Sequence, residues 1–232
     1  MLKFTLRWSW RILLLALIAL AAVQFWFLVH VWYWASHNPQ STAFMRARLE
    51  VLREDNPGAR LRQQWVPYQR ISGHLKRAVV AAEDAKFAEH RGFDWDGIQK
   101  AYEKNLREGE IVAGGSTITQ QLAKNLFFSG ERAWWRKAQE AVVTVMLETI
   151  MSKRRILEIY LNVIEWGDGV FGAEAAARYH YGTTAAALGA EQAARLAAIV
   201  PSPRRYGPGS NTAYLQRRTQ TILARMNGAR VP

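Results

Sequence analysis

A long uncharged segment near the N-terminus constrains this chain more than any other feature. Residues Ile12–Trp34 contain no formally charged side chain, and Gln24 and His30 are the only clearly polar interruptions. A helix of this length spans the roughly 30 Å hydrocarbon core of a bilayer. The sequence therefore predicts a single transmembrane helix over residues 12–34.

The charges beside this segment indicate its orientation. Lys3, Arg7 and Arg11 are the only charged residues before residue 35, and basic flanks usually stay in the cytoplasm. We therefore expect residues 1–11 to form a cytoplasmic basic tail and the rest of the chain to lie outside.

A cleaved signal peptide is the alternative to a retained helix. Ala19-Leu20-Ala21 resembles a small-residue cleavage site. The apolar run continues well past it, however, and is longer than the apolar region of a signal peptide. The later apolar stretches, Val142–Ile150 and Ala193–Val200, are too short to span a bilayer.

Composition narrows the chemistry of the remaining chain. The chain has a formal net charge of +12 and contains no cysteine. Disulfides, cysteine-based metal sites and a cysteine nucleophile are therefore excluded. The basic excess favours an anionic partner, and anionic lipid, nucleic acid and a diphosphate-bearing substrate all fit that charge.

Helix periodicity and helix-capping residues predict a mainly α fold after the transmembrane segment. Few stretches alternate with the period of two that strands require. We expect helices over Phe44–Arg53, Ser72 to about His90, Asp96 to near Gly109, Thr117–Phe128 capped by Ser116, Trp135–Met151, Lys153–Asn162 capped by Ser152, a segment between Gly182 and Pro201, and one between Asn211 and Gly228.

The first segment with chemical character is Glu83–Gly92 (EDAKFAEHRG). Glu83 shares an apolar helix face with neighbours one turn away. A partly desolvated carboxylate has a raised pKa, which suits a general base near neutral pH. Taken alone, this pattern favours a surface or structural role for Glu83.

The second segment is Gly114–Asn125 (GGSTITQQLAKN). Its glycines allow close approach of a ligand, and a helix start capped by Ser116 offers free N–H groups and a positive dipole end to an anion. Gln121 and Lys124 share one helix face and add neutral and cationic donors. Most such turns only begin a helix, so this segment alone is weak evidence.

The third segment runs from Arg132 to Glu140 and includes RKAQE at its end. Arg136 and Glu140 lie one helical turn apart. The cations would neutralise a diphosphate while the carboxylate orients them or holds a metal. An ordinary surface ion pair is the alternative.

Taken together, these three segments resemble the family 51 peptidoglycan glycosyltransferases, which occur alone or as the N-terminal domain of class A penicillin-binding proteins. The motifs stand in that family's order and approximate spacing, and KRRILEIYLN (153–162) and LAAIVPSP (196–203) resemble its later motifs. The resemblance covers about residues 60–205. Gln139 departs from it, because some relatives have another cation there.

The resemblance implies a two-lobed, lysozyme-like helical glycosyltransferase domain over residues 60–228, joined to the transmembrane helix by a juxtamembrane segment, residues 35–59. It implies that the enzyme polymerises a lipid-linked disaccharide-pentapeptide (lipid II) into β-1,4 glycan strands of peptidoglycan, with inversion and release of polyprenyl diphosphate. Carried over by position, Glu83 is the general base and Glu140 the second catalytic carboxylate.

The same resemblance assigns the binding residues and the partners. The residues expected to bind substrate are Asp84, Ser116, Gln121, Lys124, Asn125, Arg132 and Arg136. No organic cofactor is expected. A divalent metal, Mg²⁺ or Mn²⁺, is left open, with Glu140 as its candidate ligand.

The expected partners are lipid II, the growing glycan strand, the membrane and other cell-wall synthesis or division proteins, without nucleic acid. The expected location is the bacterial cytoplasmic (inner) membrane, with a single pass and the catalytic domain on the outer, periplasmic side. Apolar residues between Asp94 and Gly114 are expected to face the membrane, namely Trp95, Ile98, Tyr102, Leu106 and Ile111.

Two other functions stay open at this point. A lytic transglycosylase would use one glutamate as a general acid on the same polymer, although cleavage of a glycosidic bond releases no diphosphate. A membrane-tethered scaffold or a nucleic-acid-binding module would use only the basic charge. The chain contains no Ser-x-x-Lys and no Lys-Thr-Gly or Lys-Ser-Gly motif, so we expect no transpeptidase domain.

Overall fold

The computed structural model describes residues 2–110, 114–129 and 133–232. It contains two compact units, residues 1–38 and residues 39–232. The first unit is the helix α1 (Leu2–Ser36). Within the described ranges, Trp10–Ser36 is the one helical segment long and apolar enough to cross a membrane. The prediction of a single N-terminal transmembrane helix is confirmed.

The second unit is mainly helical, as predicted. Its helices are α2 (Ala43–Asp55), α3 (Gly73–Glu83), α4 (Trp95–Glu108), α5 (Ile118–Phe127), α6 (Trp134–Ile150), α7 (Lys153–Val163), α8 (Ala173–Tyr181), α9 (Ala190–Ile199) and α10 (Ala213–Arg225). Short 3-10 turns cover Tyr68–Arg70, Ala185–Ala187, Pro203–Arg205 and Met226–Gly228. The predicted arrangement in two lysozyme-like lobes stays a prediction.

Side-chain caps fix several of these helix starts. Ser72 accepts from the backbone N–H of His74 at the start of α3, and Ser152 accepts from that of Arg155 at the start of α7. Each cap satisfies an amide that the helix itself leaves without a partner. Both caps were predicted from the sequence.

Three predicted helix boundaries are wrong. Helix α3 ends at Glu83 and does not continue to His90, because the side chain of Asp84 bonds outside the helix. Helix α4 is capped by Asp94, whose carboxylate accepts from Gly97 N, so Asp96 lies inside it. Helix α5 is capped by Thr117 rather than by the preceding serine.

A small three-stranded sheet was not predicted. Its strands are β1 (Arg62–Gln63), β2 (Glu165–Gly167) and β3 (Val170–Phe171), in the order β1-β3-β2. Strand β1 runs parallel to β3, while β2 runs antiparallel to it with an irregular register. Strands of two or three residues are too short to show alternation, so pattern analysis cannot detect them.

Helices α3 and α5 lie in the core of the second unit. Helix α3 packs against α9 and α10, while α5 packs against α6, α7 and α2. Leu75 and Val79 of α3 are fully buried, as are Ala193 and Ala197 of α9. Small side chains on α9 let the two helices approach closely.

Candidate active site

Side chains from α3, α5, α6 and α7 surround one cavity of about 640 Å³. Six of the predicted site residues line it: Glu83, Ser116, Gln121, Lys124, Asn125 and Glu140. Two others, Asp84 and Arg136, are buried and do not belong to its wall. Arg132 lies outside the described residues.

Glu83 is the last residue of α3, and its side chain is only 10% exposed. Gln121 Nε2 donates to Glu83 Oε2 at 3.0 Å, and Arg218 Nη2 lies 3.4 Å from Oε1. Burial raises the pKa of Glu83; the Gln121 hydrogen bond and the Arg218 charge oppose that rise, and the neighbouring Asp84 adds to it. A carboxylate in this state is suited to accept a proton near neutral pH.

Asp84 points away from the cavity, and its side chain is 2% exposed. Its Oδ1 lies 2.8 Å from His90 Nε2, and its Oδ2 accepts from the backbone N–H of Ile118 at 3.0 Å. Asp84 thereby ties the end of α3 to the start of α5. This is the geometry of a positioning residue, and its predicted contact with substrate finds no support in it.

Three amides at the start of α5 already have partners within the protein. Thr117 and Gln120 form a capping box, each accepting from the backbone N–H of the other. The Ile118 amide is bonded to Asp84. These amides are therefore used within the protein, and an anion in the cavity would depend mainly on side-chain donors.

One face of α5 carries the polar residues that line the cavity. Gln121, Lys124 and Asn125 lie three and four positions apart, so they share this face. Asn125 donates to the Gln121 carbonyl at 2.8 Å. Lys124 is exposed, and Ser116 lies at the same rim. The predicted grouping of these residues is present in the structure.

Glu140 faces this helix from α6 with a side chain that is 5% exposed. Arg136 Nε lies 3.4 Å from Oε1 of Glu140, and Lys137 Nζ lies 3.1 Å from Oε2. Arg136 is itself buried, whereas Lys137 is largely exposed and lines the cavity. Lys137 stood in the predicted motif but was not assigned to the site.

Glu165 is a third carboxylate in the wall, and the sequence analysis did not identify it. Arg48 Nε and Arg204 Nε lie 3.5 Å and 3.8 Å from its two oxygens, and Gly169 N donates to it at 3.2 Å. Burial raises the pKa of Glu165, although these donors oppose the rise. The residue lies in β2, within the sheet that sequence patterns could not reveal.

Tyr160 and Arg218 were also missed. Tyr160 belongs to the KRRILEIYLN segment, which contributed only to the family resemblance, and its hydroxyl donates to Gln121 Oε1 at 2.7 Å. Arg218 lies in α10, beyond the stretch that the resemblance covers. The one sequence signal for Tyr160 was its position on the buried face of a predicted helix. No sequence signal pointed to Arg218.

The surroundings of Glu140 fit a divalent metal only in part. No group of three or more His, Asp or Glu side chains that could hold a metal occurs among the described residues. Glu140 supplies one carboxylate, and both its oxygens already face cations. Such a site suits Mg²⁺ or Mn²⁺ only where substrate phosphates supply most of the remaining ligands.

Comparison with known proteins identifies the family of this chain. The Transglycosylase family profile matches residues 50–227. A biosynthetic peptidoglycan transglycosylase of Methylobacillus flagellatus is 64% identical over 223 residues, covering 96% of this chain and 97% of the relative. The protein of the same name from Nitrosospira multiformis is 61% identical over 229 residues, covering 99% and 100%. That from Laribacter hongkongensis is 58% identical over 227 residues, covering 98% and 100%.

The match extends over nearly the whole length of both chains in each comparison, and the family profile includes every residue of the cavity wall except Phe44. This chain therefore belongs to the transglycosylase family and is a peptidoglycan transglycosylase, an enzyme that builds glycan strands.

Proposed function

We propose that this enzyme polymerises lipid II into β-1,4 glycan strands with release of polyprenyl diphosphate, using Glu83 as the general base. The observation that carries the proposal is one cavity that joins a buried glutamate, Glu83, to a second glutamate, Glu140, accompanied by Lys124 and Lys137. A base and cations that line the same cavity match the two charge changes of the reaction.

Glu83 acts on the acceptor. Its carboxylate takes the proton of the acceptor sugar's 4-hydroxyl as that oxygen attacks C1 of the donor sugar. The bond from C1 to the diphosphate oxygen breaks, and the electron pair leaves with the diphosphate. Attack from the opposite face converts an α-linked donor into a β-linked product. The raised pKa of Glu83 supports proton acceptance in this step.

The cations act on the leaving group. Lys124 and Lys137 line the cavity and would meet the negative charge that develops on the diphosphate. Glu140 holds Lys137 and the buried Arg136 in place. We extend the proposal to Arg132, which lies outside the described residues, and to Mg²⁺ or Mn²⁺, which Glu140 would help to hold and which would add positive charge near the leaving group.

We also propose that the enzyme lies on the outer face of the bacterial cytoplasmic membrane, with α1 crossing it. Basic residues before an apolar span favour this orientation. The polyprenyl tail of the substrate stays in the bilayer, so the cavity has to open close to the head groups. Lipid II and the growing strand are then the direct partners.

Two exposed apolar faces support a second membrane contact. Helix α4 exposes Trp95, Tyr102 and Leu106, and Ile98 is half-buried; Ile111, also predicted to face the membrane, lies outside the described residues. Helix α6 exposes Trp134, Trp135, Val142 and Val145, which were not predicted. Exposed apolar patches of this kind mark interaction surfaces.

The test incubates purified full-length protein with labelled lipid II and sizes the product. Polymer that grows from lipid II, with none formed by Glu83→Gln, is the expected result. Glu191→Gln, at an exposed position at the start of α9, serves as the control and stays active. Release of muropeptides from mature wall without polymer formation would instead identify a lytic enzyme and overturn the proposal.

A further inference from the structure

The side-chain amide of Gln121 makes two hydrogen bonds, and together they define its orientation. Its Nε2 donates to Glu83 Oε2 at 3.0 Å, and its Oε1 accepts from the hydroxyl of Tyr160 at 2.7 Å. An ionised carboxylate can only accept, so the amide has to present its nitrogen to Glu83. The phenol is the donor that satisfies the opposite end.

We propose that Tyr160 is a positioning residue of the transfer reaction, which acts through the Gln121 amide to hold the carboxylate of Glu83 in its proton-accepting arrangement. This inference rests on the proposed role of Glu83 as the base. It assigns a chemical task to a residue of α7 that neither the motifs nor the comparisons single out.

The surroundings of Tyr160 make its hydroxyl a dependable donor. The residue is fully buried. Burial raises the pKa of Tyr160 well above its usual value, and the nearby charges of Glu83 and Asp84 act in the same direction. The phenol therefore stays protonated throughout the range in which the enzyme works.

Four elements present polar groups to Glu83. They are the turn after α3 with Asp84, α5 with Gln121, α7 with Tyr160, and α10 with Arg218. Gln121 and Arg218 favour the ionised form of Glu83, whereas burial and Asp84 oppose it. Loss of an ordered Gln121 donor would therefore raise the pKa of Glu83 further.

Without the Tyr160 hydroxyl the Gln121 amide has no fixed direction. A half-turn of the amide exchanges nitrogen for oxygen with little change in shape. The carbonyl oxygen would then face the carboxylate, which favours protonated Glu83. The base would be present in the wrong protonation state for a larger share of turnovers.

The first test compares Tyr160→Phe with the wild-type enzyme in the full-length protein. The ring and its packing stay, and only the hydroxyl is lost. We expect turnover near neutral pH to fall about tenfold with KM unchanged. We also expect the acidic limb of the pH–rate profile to move to higher pH. Tyr181→Phe, a half-buried tyrosine outside the cavity wall, serves as the control and changes neither quantity.

The second test asks whether Tyr160 acts through Gln121. In a Gln121→Ala background, Tyr160→Phe should produce no additional loss of turnover and no additional movement of the acidic limb, because the connecting amide is already gone. Additive losses would overturn the proposal and assign Tyr160 to general packing.

A third measurement does not depend on activity. Infrared titration of the full-length protein follows the carboxyl band of Glu83, assigned by its absence in Glu83→Gln. Tyr160→Phe should raise the pH at which this band titrates, and an unchanged titration would overturn the role of Tyr160. If the band moves as expected while Glu83→Gln still polymerises lipid II, the positioning holds and the proposed base is wrong.

Discussion

Glu83 combines two properties that a proton acceptor needs. Its carboxylate is nearly buried, yet it lines the cavity and is held by Gln121 and Arg218. Glu83→Gln keeps the shape but cannot take the acceptor's proton. We expect lipid II polymerisation to fall roughly 10²–10⁴-fold, as measured by product sizing. Near wild-type turnover in a folded variant would contradict the assignment.

Glu83 should also determine how the reaction rate depends on pH. The base is active only when ionised, so the rate should rise with pH through the pKa of Glu83 and be lost as pH falls below it. Because burial raises that pKa, we expect the acidic limb at a pH above the value of about 4.3 that is typical of a free glutamate. A limb at the ordinary glutamate value would show that another group limits the rate.

The contribution of Glu83 to the stability of the protein should become less favourable as pH rises, whereas its contribution to the rate increases. A carboxyl whose pKa is raised by folding disfavours the ionised native state, so its unfavourable contribution grows as pH rises from the pKa of the unfolded chain to the raised pKa and is fully present above it. At neutral pH, Glu83→Gln removes that contribution. We expect thermal denaturation of the variant to give a melting temperature no lower than that of the wild type. A clear decrease would mean that the ion pair with Arg218 outweighs the cost of burial.

The exposed lysines that line the cavity should act on turnover rather than on folding. Lys124→Ala should lower kcat by roughly 10²-fold, the cost of removing one donor aimed at developing charge. Lys137→Ala should act in the same direction. Arg225→Ala, an exposed cation on α10 outside the cavity wall, is the matched control. Equal activity of Lys124→Ala and this control would show that Lys124 is only a surface cation without a role in turnover.

Sequence patterns predicted the part of the site that lies within short motifs. The spacing of Gln121 and Lys124 puts them on one helix face, the family resemblance added Asn125, and all three line the cavity. Arg218 reaches Glu83 across a sequence separation of 135 residues. A partner so distant leaves no local periodicity or cap, so only the packing of α10 on α3 brings it to the base.

Gly92 joins the turn after α3 to α5 and α6. Its φ of +87° is a conformation that side chains rarely adopt, and a Cβ there would lie 2.7 Å from Thr144 Cγ2. Its carbonyl accepts from the Thr117 hydroxyl at 2.7 Å. We expect Gly92→Ala to cost more than about 1 kcal/mol of unfolding free energy, as measured by chemical denaturation, and to lower turnover.

Gly109 provides a control for the backbone alone. Its φ is +71°, but a Cβ there would have no atom of the described residues within 4 Å, its two chain neighbours apart. Gly109→Ala should therefore show only the cost of the positive φ, with turnover unchanged. If both variants lose the same stability and keep full activity, the contact with Thr144 does not matter.

Among the elements, the sequence predicted helices better than their ends. Ser72 and Ser152 cap α3 and α7 as expected, because a cap is a local interaction. The end of α3 depends on Asp84, whose bonds reach His90 and Ile118. Helix α8 was not predicted. Four of its nine residues are alanines, and its sequence shows no distinctive helical periodicity.

At the scale of the whole molecule, two kinds of surface are available to a membrane. Helix α1 is one, and the exposed apolar faces of α4 and α6 are the other. Deletion of residues 1–34 should leave a folded protein that still associates with anionic vesicles and still polymerises lipid II, though less efficiently. Vesicle flotation at low salt measures the association.

Substitution of the apolar faces separates their contribution from that of basic charge. In the truncated protein, Trp134→Ala combined with Val145→Ser should reduce flotation. Tyr214→Ser, at a position on α10 about as exposed as Val145, should not. If the truncated protein stays free of vesicles at low salt, α1 is the only membrane attachment.

The sequence separation between Arg218 and Glu83 also affects the order in which the catalytic contacts form during folding. The N-terminal part of a growing chain becomes available to fold first. Helix α3 can form early, but the guanidinium that faces Glu83 belongs to α10, which follows every other helix of the described chain. The base therefore acquires its full set of contacts only in the last step of assembly. A chain still being synthesised would not yet hold the complete catalytic arrangement.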